Sequence, residues 1–144
     1  MSVVRHSSTI EVPRERVFTY INDYRNVPEY MFGVHSFVPR TDVTSGKGSV
    51  FDVELKAGPK SLESTVETTD WIENELIELK AIEGFVANTT WRFADAGDGS
   101  TRVDAEFEYV LSGGLAGRAL GAIMDPFAAQ AVKHTEAKLR SALI

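Results

Sequence analysis

The segment TRVDAEFEYVL, Thr101 to Leu111, alternates apolar and charged side chains along its length. Val103, Ala105, Phe107, Tyr109 and Leu111 fall on one side of a strand, and Arg102, Asp104, Glu106 and Glu108 on the other. The charged face needs water and the apolar face needs a cover. This pattern points to an antiparallel sheet with one wet side and one packed side. The rest of the chain must supply the cover.

One segment is suited to do so. From Leu115 onward the pattern is helical, and at about 100° per residue Leu120, Ile123, Met124, Phe127, Ala131 and Ala142 form one apolar stripe. Arg118, Asp125, Lys133, Glu136 and Arg140 lie opposite. Pro126 interrupts the stretch, and its missing N–H and bulky ring predict a kink or a break near Met124–Asp125, with Asp125 placed to cap a second segment. The glycines at its start, Ser112-Gly113-Gly114-Leu115-Ala116-Gly117, miss a dinucleotide fingerprint by one residue and lack the second parallel strand such a site requires. They read as turn and packing chemistry.

Upstream, VVRHSSTIEV alternates as a strand, with Val4, His6, Ser8, Ile10 and Val12 on one face. Pro13 opens a short helix with Val17, Phe18 and Ile21 on one side, and Asn26-Val27-Pro28 starts a second. Strands then follow one another between turns at TSGKG, Gly58-Pro59, Glu73-Asn74, Gly84 and AGDGS. Trp91 and Phe93 share a face. Trp71 has no clear phase, because a bulge in its long strand would flip it. The expected fold class is α+β. One curved antiparallel sheet of about seven strands, two short helices and a long C-terminal helix form a single domain over residues 1–144.

The order and spacing of Ile10-Glu11-Val12-Pro13, Val17-Phe18, Asp23, Val27-Pro28-Glu29-Tyr30, Thr90-Trp91-Arg92-Phe93 and Gly99-Ser100-Thr101-Arg102-Val103 resemble the START-like (SRPBCC, helix-grip) superfamily. Within it, the chain looks most like the polyketide cyclase/dehydrase and lipid-transport group. The resemblance covers nearly the whole chain and implies a cavity between sheet and long helix. In that frame the expected cavity wall comprises Tyr30, Met31, Phe51, Val53, Trp91, Phe93, Phe107, Tyr109, Leu120, Ile123, Met124, Phe127, Ala131 and His134. His134 lies near the apolar stripe and reads either as a half-buried core histidine or as a polar anchor inside the cavity.

Composition narrows the functions. The chain has no cysteine, which removes disulfides, thiolate metal sites and cysteine nucleophiles. His6, His35 and His134 are not spaced as metal ligands, so neither metal nor cofactor is expected. No nucleophile stands in a recognisable motif, and no catalytic residue is assigned. A net charge of −6 disfavours nucleic acid as a partner. No apolar run is long enough for membrane insertion or a signal peptide, and a cytoplasmic protein is expected. The reading is a binding protein for a small hydrophobic molecule: a lipid, polyketide, isoprenoid or quinone-like compound. The alternatives are an aromatase/cyclase or dehydratase steered by His134, Tyr109 and an inward arginine, or a protein-interaction module like the superfamily's quinone-binding and ribosome-association members.

Overall fold

The computed structural model describes residues 2–110 and 114–144, except for the side chains of residues 115–117 and 120. Seven strands form one antiparallel sheet: β1 (Ser2–Ile10), β2 (Val34–Pro39), β3 (Val50–Ala57), β4 (Lys60–Ile72), β5 (Leu76–Gly84), β6 (Ala87–Gly97) and β7 (Ser100–Tyr109). Their spatial order is β1-β7-β6-β5-β4-β3-β2, so the two strands nearest the N-terminus occupy opposite edges. Between them in the chain lie α1 (Arg14–Asn22), a 3₁₀ turn (Tyr24–Asn26) and α2 (Val27–Tyr30), which carry the chain from one edge to the other. The long helix α3 (Gly114–Leu143) completes the cover. The strands and helices occupy the segments predicted for them, to within a few residues.

Side-chain alternation decides which face is covered. In β7, Val103, Ala105 and Tyr109 are buried and Phe107 half-buried, while Arg102 is exposed. Leu111 lies outside the described residues. On the wet face Arg5 donates to Glu106 (2.9 Å) and Ser7 donates to Asp104. Cross-strand pairing of β1 with β7, from Ser2↔Tyr109 to Ile10↔Thr101, brings those partners together.

Trp71 faces inward because β4 is bulged. Thr68 pairs with Leu79 but Asp70 pairs with Glu78, which leaves Thr69 as the extra residue and shifts the phase of the strand beyond it. The Trp71 indole N–H then reaches the Asn22 side-chain oxygen (2.9 Å), and its ring meets the edge of Phe18 at 5.6 Å. Phe18 also packs against Phe93 (5.3 Å). With Val17, Ile21, Val27 and Tyr30 these residues fill the end of the sheet beneath α1 and α2. A second, smaller apolar cluster gathers Ala57, Tyr109 and Met124 under the first half of α3.

α3 is one continuous helix through Pro126, so the chain does not break there. Ala122 and Pro126 are both exposed, which puts the carbonyl deprived of its N–H partner on the watered side of the helix. Asp125 therefore caps nothing. Its carboxylate accepts a hydrogen bond from the Tyr109 hydroxyl at 2.5 Å. The buried seam of α3 is also rotated from the predicted stripe. It runs through Met124, Val132, Thr135, Leu139 and Leu143, and Ala142 is exposed.

Candidate functional site

A cavity of about 130 Å³ lies between the two apolar clusters, roofed by α3 and floored by the middle of the sheet. Every layer contributes: Tyr30 and Met31 from α2 and its exit, Val53 from β3, Val66 from β4, Trp91 from β6, Phe107 from β7 and Met124 from α3. The strand phases explain the lining, since these side chains sit on the covered face of their strands.

Of the predicted wall, Tyr30, Met31, Val53, Trp91, Phe107, Tyr109, Met124, Phe127 and Ala131 border this space. Phe51 and Phe93 do not. Phe51 is stacked on Phe37 (4.6 Å), and Phe93 is held against Phe18, so both are packing material of the filled end. Ile123 packs against the smaller cluster without bordering the cavity. The Leu120 side chain lies outside the described residues.

His134 is the clearest departure. It is exposed, and its ring lies flat on Phe32, centroids 4.6 Å apart at 18°. The polar Thr135 occupies the buried seam instead, and its side-chain oxygen accepts the Phe32 N–H at 3.3 Å. Consecutive helical residues differ by about 100°, so burying Thr135 turns His134 outward. His134 and Tyr109 are thus not brought together as steering groups.

The loop between α2 and β2 closes the cavity against α3. Phe32 stacks on Phe127 (5.4 Å), and Phe127 lies directly over Gly33. Gly33 has a φ of +90°, and a Cβ there would overlap the tip of the Phe127 ring. Glycine is required at that point for both backbone and contact.

Polar groups around the cavity are few. The Tyr30 hydroxyl donates to the Ile21 carbonyl (2.8 Å), and burial holds its phenol far above the usual tyrosine value. Burial, then the hydrogen bond to Asp125, also raises Tyr109. Both phenols therefore remain protonated at neutral pH. A second polar spot arises where the sheet opens. β5 and β6 pair only from Leu76↔Arg92 to Leu79↔Thr89, then diverge. Asn88 fills the gap: its side-chain oxygen accepts the Ala81 N–H (2.9 Å), and its amide donates to Glu108 (2.9 Å). Ser64 and Asn88, along with Leu79 and Phe85, border the cavity and were not predicted. The alternation of β4, which puts Ser64 on the same face as Val66, is the signal that could have found Ser64. Among the described residues no three His, Asp or Glu side chains gather as a metal site would need, and no helix is long and apolar enough to cross a membrane.

A curled antiparallel sheet gripping one long helix over an apolar space defines a helix-grip protein of START-like architecture. The chain belongs to the polyketide cyclase/dehydrase and lipid transport family, whose model matches residues 1–143. Solved structures share the fold at low identity. The protein TTHA0849 from Thermus thermophilus is 22% identical with a TM-score of 0.82, covering 99% of this chain and 97% of its own. The Zhui aromatase/cyclase from a Streptomyces species is 11% identical with a TM-score of 0.77, covering 99% and 96%. A START superfamily protein from Mycobacterium smegmatis is 13% identical with a TM-score of 0.73, covering 98% and 96%. A search of curated proteins finds no match.

Proposed function

We propose that this protein binds a small hydrophobic molecule in the cavity between the sheet and α3. The cavity itself carries this reading. Native interiors are packed with few voids larger than a water molecule. At about 24 cal/mol per Å³, 130 Å³ left unfilled forgoes roughly 3 kcal/mol of stability. A larger side chain at a position such as Ala131 would recover part of that, so the space is better understood as kept for a ligand. Its size is close to that of an engineered apolar cavity of about 150 Å³ that admits benzene. A ligand much larger than one ring must therefore displace the Phe32–Phe127 contact or extend past it. Membership of a family described by lipid transport and polyketide chemistry supports the same reading.

Native mass spectrometry of freshly purified protein, followed by titration of stripped protein with a panel of fluorescent apolar probes, tests the proposal. A co-purifying small molecule or saturable binding near one equivalent is expected. Absence of saturable binding across the panel overturns it.

A further inference from the structure

One fully buried side-chain polar atom without a partner belongs to a residue that borders the cavity. Ser64 is 5% exposed, and its hydroxyl is the only buried side-chain polar atom lacking a hydrogen bond among the described residues. Three other buried hydroxyls donate to backbone carbonyls: Thr101 to Val12 (2.6 Å), Ser49 to Gly46 (2.7 Å) and Tyr30 to Ile21 (2.8 Å). Thr65, the next residue along, points to the opposite face and donates to Asp52 at 2.9 Å. Ser64 is thus set apart by its position. Its cross-strand partner in β5 is Gly84, which has no side chain to cover it, and it borders the cavity. A buried hydroxyl without a partner is a standing penalty that a ligand oxygen would remove.

The charges nearby restrict what that ligand can be. No Lys, Arg or His borders the cavity among the described residues, and the one ionisable carboxylate there is Glu108. An anionic head group would enter an apolar space with no counter-ion and one like charge. We propose that Ser64 is the polar anchor of the cavity, and that its ligand is a neutral compound with a ring-sized apolar core carrying a hydroxyl or carbonyl oxygen. This rests on the cavity reading above, and it excludes free fatty acids and other carboxylates as the preferred occupant.

Phenol, toluene and benzoate have similar bulk and differ in the group presented. Their binding to wild type, Ser64→Ala and Ser64→Thr is to be measured by calorimetry or chemical-shift titration, with circular dichroism confirming that each variant is folded. Wild type is expected to bind phenol and toluene, and to bind benzoate at least about tenfold more weakly. Ser64→Ala should weaken phenol by roughly five- to tenfold, the worth of one neutral hydrogen bond, and leave toluene unchanged or slightly tighter. Ser64→Thr, which keeps the hydroxyl, should retain the phenol preference. If Ser64→Ala shifts phenol and toluene equally, the anchor is disproved while the cavity reading stands. Benzoate binding as tightly as phenol overturns the neutral ligand class. If none of the three binds, the ring-sized neutral ligand class falls, and the probe panel decides the cavity reading separately.

Discussion

At Gly84 the backbone has a φ of +79°, and a Cβ would stand 2.5 Å from the Glu63 carbonyl oxygen. Gly46 has a similar φ of +87° but open space around it. Alanine at the two sites therefore separates backbone strain from crowding. Gly46→Ala is expected to cost about 1 kcal/mol, the left-handed penalty alone. Gly84→Ala should cost about 3 kcal/mol or more, because a backbone atom cannot step aside. Urea unfolding of the pair checks this, and equal losses would rule out the close approach. Ionisable residues act at the same scale on the outer face. Hydrogen bonds from Arg40 and Thr65 hold the Asp52 carboxyl below its ordinary value. With a depressed folded value, its contribution is present above about pH 4 and is lost as pH falls through the folded value. Asp52→Asn should therefore flatten the acid limb of a melting-temperature profile below about pH 4 and leave the neutral region nearly level. An unchanged acid limb would show that the Arg40–Asp52 pair does not contribute.

Among the elements, α3 and the β5–β6 junction hold most of the departures from regularity. A proline within a continuous helix forgoes one hydrogen bond, and Pro126→Ala should restore it, raising stability by about 1–3 kcal/mol in thermal or denaturant unfolding. A loss of stability instead would mean that the proline shapes the helix to the sheet. The β5–β6 divergence predicts faster amide exchange at residues 82–86 than at residues 76–79, measurable by hydrogen–deuterium exchange. Equal protection would mean that the two strands remain joined along their length. The strands were legible from the sequence because each carries a period-2 pattern between glycine or asparagine turns. The covered face of β7 was legible for the same reason. Two things were not. The register of β4 depends on a bulge at Thr69, which no local pattern marks. The buried seam of α3 includes a threonine, so the stripe drawn through Leu120, Ile123, Met124, Phe127, Ala131 and Ala142 holds at Met124, Phe127 and Ala131 but fails at Ala142 and at the neighbouring His134, both exposed. The bulge accounts for the unassigned phase of Trp71, whereas Ser64 is a lone serine with no apolar signal to mark it, and the seam accounts for the outward His134.

For the whole molecule, ligand occupancy and stability are linked. A ligand at a hundred times its dissociation constant adds about 2.7 kcal/mol, which for a chain of this length is a rise of roughly 5–10 °C in melting temperature. A thermal shift with phenol but not benzoate would report the cavity and its preference for a neutral ligand in one measurement. The strand order has another consequence, this time for assembly. Strands β2 to β7 each pair with a neighbour in sequence, so that part of the sheet can zip up locally. β1 cannot: among the described residues its only partner is β7, with Ser2 opposite Tyr109 and the rest of the sheet between them in the chain. Closing so long a loop makes this the slow pairing. Until it forms, β7 presents a free edge, and its apolar face awaits both β1 and α3. Refolding should then pass through a six-stranded meander with an open side, the state most apt to stick to another copy of itself.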